Sequence, residues 1–220
     1  MFDGVFSQSI VKRALDRGIA KIELHDLRRY TRDKHNTIDD YQFGGGPGMV
    51  MKPEPLFRAM EFLLNGLNYS PKKILMSAKG KSFNQETADS LAKLDHLILV
   101  CGHYKGIDQR FIDRFIDEEI SIGDYVLSGG EIPAMCLVDS VVRLLPGAIS
   151  DPESALTDSF RNGLLEGPLY TRPENFRGLA APEVLMSGHH ANIEKWRREK
   201  AMESTQNLRP DLFEDKSSIE

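Results

Sequence analysis

Residues 115–131 have the sequence FIDEEISIGDYVLSGGE, an apolar stretch followed by a loop that contains three glycines. The pattern predicts a strand over Phe115–Ile122 and, after the loop, a strongly apolar helix over Glu131–Leu145. Glycine allows a backbone to approach a ligand closely, and ligands of open α/β sheets bind at the carboxyl ends of the strands. The loop Ser121–Glu131 therefore predicts one wall of a small-molecule site, although simple tight turns would account for the same glycines.

The chain upstream repeats this arrangement of a short apolar strand followed by a loop with glycine. The predicted strands Lys73–Met76 and Leu97–Cys101 precede the loops Ser77–Gly80 and Cys101–Asp108. Helices are predicted before and between these strands, at Pro53–Leu64 and Gln85–Leu94. Strands that alternate with helices predict an α/β domain with a parallel sheet.

The N-terminal region has a shorter helix and a long polar segment. Ser9–Arg17 predicts an amphipathic helix that ends at Gly18, and the alternation over Ile19–Leu24 predicts a strand. The polar, glycine-rich loop Arg28–Gly48 is longer than most connections. Loops of that length are usually functional, so a functional role is predicted for it.

The character of the chain changes after Pro146-Gly147. Residues 150–159 are polar and contain Pro152, which predicts a linker. Beyond them the chain is rich in proline and then predicts a helix over His190–Met202. The predicted organisation is an α/β catalytic domain over residues 1–149, a linker over 150–159 and a small, mostly helical domain over 160–220.

The composition is that of a soluble globular protein, with 40% hydrophobic and 28% charged residues among 220. No apolar run approaches the roughly 20 residues that span a bilayer, and no signal-peptide pattern is present. The two cysteines, Cys101 and Cys136, are interpreted as free, buried thiols in a reducing compartment. A cytoplasmic protein without a membrane partner is expected.

The net charge of −5 argues against a general polyanion binder, but the charge is unevenly distributed. Asp108–Glu131 contains seven acidic residues and two arginines, whereas residues 1–35 contain eight basic and five acidic residues. Near the C-terminus lies a basic cluster, formed by Lys195, Arg197, Arg198 and Lys200. These basic regions permit contacts with phosphate, and solvated helix faces are an equally good interpretation of them.

Several common functional motifs are excluded. The cluster Gly44–Gly48 follows a polar loop, whereas a dinucleotide-binding fingerprint follows a strand. Gly80-Lys81-Ser82 is not a phosphate-binding P-loop, because Leu75 stands where that motif requires glycine. Cys101, His103 and His189-His190 lack the paired spacing of zinc ligands, so no metal site is predicted.

Five blocks, in order along the chain, resemble the bacterial tRNA (guanine-N1)-methyltransferases of the knotted SPOUT class. They are Phe43–Met51, Cys101–Asp108, Ser121–Pro133, Tyr170–Pro173 and Leu185–His189. The resemblance implies a parallel sheet with a C-terminal trefoil knot, a rare exception among protein folds. It also implies S-adenosylmethionine (AdoMet) as methyl donor, tRNA guanine 37 as target, and a homodimer whose active sites are shared between subunits.

The same resemblance assigns roles to individual residues. It implies that AdoMet is held by Ser77, Gly102, Ile122, Gly123, Asp124, Tyr125, Val126, Leu127, Gly129 and Gly130. The implied catalytic pair is Arg143 and Asp158, fifteen positions apart. Guanine N1–H is a weak acid, so Asp158 would act as general base while Arg143 stabilises negative charge on O6.

Other interpretations of these residues remain open. From position alone, Asp158 fits a helix N-cap, and Arg143 fits a cation that complements a helix dipole. Many family members also carry arginine and glutamate where this chain has His103 and Lys105. The function of that glutamate in orienting cofactor or base therefore does not transfer to this chain.

Two alternative functions remain from the sequence. One is a different knotted methyltransferase that acts on ribosomal RNA or on ribose, although ribose has no acidic ring nitrogen for an Arg143–Asp158 pair. The other is a non-catalytic RNA-binding descendant. Loss of Asp158, or of the loop with Gly123 and Gly129-Gly130, would have favoured it, but all of these residues are present.

The start of the chain carries a separate expectation. The family opens with an apolar strand that lies inside the parallel sheet, and such strands are buried on both faces. The natural product is therefore expected to begin about ten residues upstream of Met1, since a lost interior strand would leave buried groups unsatisfied.

Overall fold

The computed structural model describes residues 1–149 and 158–214. The chain forms two compact units, the first within Met1–Ser150 and the second within Asp151–Glu220. The predicted linker over residues 150–159 lies outside the described residues except for Asp158 and Ser159.

A parallel three-stranded sheet forms the centre of the first unit, as predicted. Its strands are β3 (Lys72–Ser82), β4 (Leu97–Cys101) and β5 (Glu118–Ser121), in the order β4-β3-β5. Met76 of β3 pairs with Cys101 on one side and with Ile120 on the other. All three strands therefore point their carboxyl ends toward the same edge of the sheet.

Strand β3 is much longer than the predicted Lys73–Met76, because the chain leaves the sheet and returns to it. Met76 and Lys81 both pair with Ile120, so Ser77–Gly80 forms an excursion within the strand. Gly80 closes the excursion against the backbone of β5, where a Cβ atom would lie 2.4 Å from the carbonyl carbon of Glu119. Only glycine allows so close an approach.

Helices cover the sheet and account for its apolar strands. In the first unit they are α1 (Phe2–Phe6), α2 (Ser9–Asp16), α3 (Pro53–Leu64), α4 (Gln85–Leu91), α5 (Gln109–Phe115) and α6 (Glu131–Val142). Ile74, Ile120 and Leu137 are buried together in a cluster that joins the sheet to α6. Leu75 and Phe111 belong to a separate buried cluster that includes residues of α3 and α5. Burial in these clusters explains the apolar strands.

The predicted strand Ile19–Leu24 is wrong. Among the residues that the structure describes, no strand pairs with this segment, and Ile19 and Ala20 donate their N–H groups to the carbonyl of Ala14 at 2.9 and 3.4 Å. Ile19, Ala20 and Ile22 pack against the buried cluster formed by α2 and α6. Side-chain packing alone therefore partly buries one apolar face, which produces the alternation that is typical of a strand.

Other predicted boundaries also shift. Phe115 ends α5 instead of beginning a strand, because it packs against Phe111 and Phe57, with ring centroids 5.4 and 5.0 Å away. Residues 27–51, which include the long polar loop, contain a 3₁₀ helix (Leu27–Tyr30) and the hairpin strands β1 (Asp39–Tyr41) and β2 (Met49–Met51). Both cysteines are free, but Cys101 is only partly buried and Cys136 is exposed on α6, because the buried side chains of that helix occupy other positions.

The second unit contains a small hairpin and three helices among its described residues. These are β6 (Asn175–Phe176), β7 (Leu179–Ala180), α7 (Glu183–Met186), α8 (His190–Leu208) and α9 (Asp211–Glu214). Thr205 of α8 is fully buried and accepts a hydrogen bond from the N–H of Leu165 at 2.8 Å. Across residues 1–149 and 158–214, none of the helices has both the length and the apolar character needed to span a membrane.

Candidate functional site

The loops that follow β4 and β5 meet at the carboxyl edge of the sheet. Gly130 donates its N–H to the carbonyl of Gly102 at 2.9 Å, and Gly129 forms an antiparallel bridge with His103. A Cβ atom on Gly130 would lie 2.7 Å from the Cα of Cys101. The two backbones are therefore in contact without intervening side chains.

The loop after β5 begins with a tight turn around Gly123. The buried hydroxyl of Ser121 donates to the carbonyl of Gly123 at 3.0 Å and accepts from its N–H at 3.2 Å. Gly123 has φ +149°, and a Cβ atom there would lie 2.5 Å from the ring of Tyr125. The ring folds back over the turn, since the hydroxyl of Tyr125 donates to the carbonyl of Ile122 at 3.3 Å. The turn therefore requires glycine for both conformation and space.

Beyond this turn, the loop presents apolar side chains to solvent. Val126 is 88% exposed, and Tyr125 and Leu127 are exposed as well. Adjacent exposed apolar side chains are typical of surfaces that bind a ligand or another protein. The backbone groups of the glycines can bind the polar part of an amphiphilic small molecule, and the exposed apolar side chains can contact its apolar part.

A hydrogen bond between side chains closes the site at the start of α6. Nε2 of His103 lies 2.6 Å from Oε1 of Glu131, the first residue of that helix. The backbone N–H of His103 also contacts Sδ of Met51 at 3.2 Å. His103 thereby connects the end of β4 with both α6 and β2.

The glycine-rich hairpin pairs with the loop after β4. Met49 accepts a hydrogen bond from the N–H of Lys105 at 2.9 Å, and Met51 donates to Gly106 at 2.9 Å. The stem of Lys105 lies against Gly48, whose φ is +87°. At the tip of the hairpin Phe43 is 98% exposed. Three of the sequence blocks, far apart in the chain, are therefore neighbours at one edge.

Two ionisable groups at this edge are not suited to acid–base chemistry near neutral pH. Burial, with a smaller contribution from the charge of Glu131, raises the pKa of the Cys101 thiol to about 12. The pKa of Asp108 is lowered, mainly by side-chain hydrogen bonds from Arg110 at 2.9 and 2.8 Å. Cys101 therefore remains a thiol and Asp108 a carboxylate.

The residues predicted to bind the cofactor lie on loops at this edge of the sheet. Ser77 lies on the β3 excursion, where its hydroxyl accepts the N–H of Lys79 at 3.2 Å, and the other members lie on the loops after β4 and β5. Arg143 is instead the C-cap of α6, a helix of 12 residues that begins at Glu131. At 1.5 Å per residue, the two are about 18 Å apart.

Asp158, the other predicted catalytic residue, belongs to the second unit. Within that unit its carbonyl accepts the N–H of Arg161 at 3.4 Å. Among the residues that the structure describes, no group of three metal-ligating side chains is close enough to hold an ion.

The contact between His103 and Glu131 was not predicted from the sequence. The two residues are 28 positions apart, and no spacing rule relates them. The available signal was Gly129-Gly130 immediately before Glu131, which indicates a close approach of two backbones.

Comparison with known proteins shows to which family the chain belongs. A family model described as tRNA (Guanine-1)-methyltransferase TrmD matches residues 1–215. The tRNA (guanine-N(1)-)-methyltransferase of Moorella thermoacetica is 55% identical over 214 residues, which cover 97% of this chain and 86% of that protein. The enzyme of the same name from Flavobacterium johnsoniae is 52% identical over 210 residues, 96% of this chain and 92% of that protein. The enzyme from Halalkalibacterium halodurans is 50% identical over 220 residues, 100% of this chain and 89% of that protein. This chain belongs to the tRNA (guanine-1)-methyltransferase family.

Proposed function

We propose that the chain transfers the methyl group of AdoMet to N1 of a guanine in tRNA, at position 37 beside the anticodon. The observation that carries the proposal is the match of residues 1–215 to one family of tRNA methyltransferases. The convergence of the glycine loops at one sheet edge supports it, because that edge is where open α/β sheets bind ligands.

AdoMet fits the character of this edge. Gly129 and Gly130 carry no side chains, which allows a ligand to approach the backbone of the loop closely. The exposed side chains of Val126 and Leu127 offer apolar contact beside them. The residues that would hold AdoMet are Ser77, Gly102, Ile122, Gly123, Asp124, Tyr125, Val126, Leu127, Gly129 and Gly130. When bound, AdoMet supplies a methyl group activated by the sulfonium.

The proton chemistry is assigned to Asp158 and Arg143. The carboxylate of Asp158 accepts the proton from guanine N1 as that nitrogen becomes the nucleophile, a contribution of roughly 10²–10⁴ in rate. The guanidinium of Arg143 donates hydrogen bonds to O6, where negative charge develops. The remaining loops hold guanine and methyl donor in line.

The proposal includes a homodimer in which each active site is completed by the partner subunit. Its support is the distance of about 18 Å between Glu131, at the glycine loops, and Arg143, at the far end of α6. One subunit therefore presents its glycine loops and its Arg143 at opposite ends of a helix. A trefoil knot in the C-terminal part of the first unit belongs to the same proposal.

Residues 160–220 are proposed to bind tRNA, with 150–159 as linker. Lys195, Arg197 and Arg198 are exposed on α8, where they offer positive charge to phosphates. The N-terminal region, with its excess of basic residues, is proposed to contribute further contacts. The reaction is placed in the cytoplasm, where tRNA and AdoMet occur together.

Mass analysis of nucleosides from unmodified tRNA, incubated with the protein and AdoMet, tests this function. N1-methylguanosine is the expected product. A ribose-methylated nucleoside, or methylation of ribosomal RNA alone, would instead favour a different knotted methyltransferase. RNA binding without methyl transfer would favour a non-catalytic descendant.

A further inference from the structure

We infer that His103 and Glu131 are positioning residues that set the affinity for AdoMet. Together they hold the Gly129–Gly130 turn against the end of β4. This inference rests on the proposed function, because it assigns the turn to the AdoMet site. It concerns side chains that are not among the predicted cofactor contacts.

The two side chains form a direct bridge across the site. Nε2 of His103 lies 2.6 Å from Oε1 of Glu131, and the Glu131 side chain is only 19% exposed. Each partner is anchored independently of the bridge. The backbone of His103 contacts Met51 and pairs with Gly129, whereas Glu131 is the first residue of α6. The bridge therefore spans the turn between the end of β4 and the start of α6.

Gly129 lies between the two bridging side chains. A Cβ atom there would be 2.5 Å from Oε2 of Glu131 and 2.6 Å from Cε1 of His103. The bridge thus closes directly over the turn, and removal of either side chain would leave space into which the turn can move. Packing of this density restrains the backbone to one conformation.

A restrained turn matters for a ligand that is bound through backbone groups. If the loop after β5 were ordered only on binding, its lost conformational freedom would subtract from the affinity. A preformed turn avoids that loss. The bridge should therefore act on AdoMet binding and on KM for AdoMet, and should leave kcat at saturating AdoMet nearly unchanged.

The test compares variants of the full chain by calorimetric AdoMet binding and by steady-state tRNA methylation. His103→Ala and Glu131→Ala should each raise Kd and KM for AdoMet roughly tenfold, as expected for a lost charge-assisted hydrogen bond. The double variant should be no worse than either single variant, because both remove one interaction. His103→Arg keeps a donor for Glu131 and should remain within about threefold of the wild type.

The control is His96→Ala, which removes another histidine hydrogen bond of the same unit, to Tyr69 at 3.0 Å. It should leave Kd for AdoMet unchanged, and all variants should retain tRNA affinity as evidence of folding. Unaltered AdoMet affinity in His103→Ala would overturn the inference. His103→Arg as weak as His103→Ala would also overturn it, because the imidazole would then contact a substrate itself. A wild-type chain that does not bind AdoMet would refute the proposed function first.

Discussion

The backbone N–H of Gly130 donates to the carbonyl oxygen of Gly102 at 2.9 Å and so joins the start of α6 to the end of β4. The bond brings the two loops so close that a Cβ atom on Gly130 would clash with Cys101. Gly130 itself has φ −80° and ψ −6°, a conformation open to any residue. Close approach, rather than backbone conformation, is therefore the reason for glycine at this position.

Gly130→Ala should destabilise the protein by about 1–3 kcal/mol, because the added methyl group forces two backbones apart. It should also weaken AdoMet binding, since the displaced loop forms the proposed site. Denaturant unfolding and calorimetry measure the two effects. Gly4→Ala is the matched control, because Gly4 is helical and has open space around its Cβ position. It should stabilise by up to about 1 kcal/mol, and an equal gain in Gly130→Ala would refute the close-approach argument.

The buried Lys73 depends on Asp117 for its charge balance. Lys73 is 7% exposed, and its amino group lies 2.9 Å from Asp117 and 3.0 Å from the carbonyl of Pro71. Asp117→Asn should lower the free energy of unfolding by about 1–3 kcal/mol, because a buried ammonium loses its counter-charge. Asp16→Asn, which removes an exposed pair with Lys12, should cost less than about 0.5 kcal/mol. Equal losses in the two variants would contradict this assignment.

The same pair predicts a dependence of stability on pH. Burial opposes ionisation of Asp117, but hydrogen bonds and charge from Lys73 outweigh it and lower the pKa below the ordinary 3.8. The stabilisation is therefore present above 3.8 and is lost as the pH falls from there through the folded pKa. In that window the free energy of unfolding of Asp117→Asn should depend less on pH than that of the wild type. An identical pH dependence in the two proteins would show that the Asp117–Lys73 pair does not contribute.

Asp158→Asn should abolish methyl transfer to tRNA while AdoMet binding stays within a few-fold of the wild type. Asparagine keeps the shape of the side chain but cannot accept the proton from guanine N1. Single-turnover methylation and calorimetry measure the two properties. Asp211→Asn in the same unit, where Asp211 pairs with Arg209, should retain activity. Retained turnover in Asp158→Asn would remove this residue from the base assignment.

Lys195→Glu with Arg198→Glu should weaken tRNA binding and leave AdoMet binding unchanged. Both residues are exposed on α8, and loss of phosphate contacts should also make the affinity less dependent on salt. Lys93→Glu with Arg114→Glu, two exposed residues of the first unit, produces the same change in net charge. Filter binding at several salt concentrations compares the pairs. Equal effects of the two pairs would indicate that net charge, rather than the α8 cluster, determines affinity.

The sequence predicted the elements whose apolar patterns arise from the sheet. Leu97–Cys101 is a strand with the predicted bounds, because its side chains are buried on one face and partly buried on the other. Ile19–Leu24 has a similar alternation, but packing against α2 produces it without a partner strand. A local pattern reports which face is buried and not which backbone groups are paired.

The candidate site was predictable where glycine marks a close approach. The family resemblance implied Gly129 and Gly130 as cofactor contacts, and both lie against the end of β4. The bridge from His103 to Glu131 depends on the register of separate elements, which the sequence alone does not specify. The shift of β3 around Ser77–Gly80 was missed for the same reason, since it depends on contacts with β5.

Methyl transfer to guanine 37 can be tested by locating the methyl group on the tRNA. The measurement uses two transcripts of one tRNA, one with guanine and one with adenine at position 37, each incubated with the protein and AdoMet. Ribonuclease fragments are then sequenced by mass spectrometry. We expect N1-methylguanosine at position 37 of the first transcript and no product from the second. Methylation elsewhere, on ribose, or equally in both transcripts would contradict it.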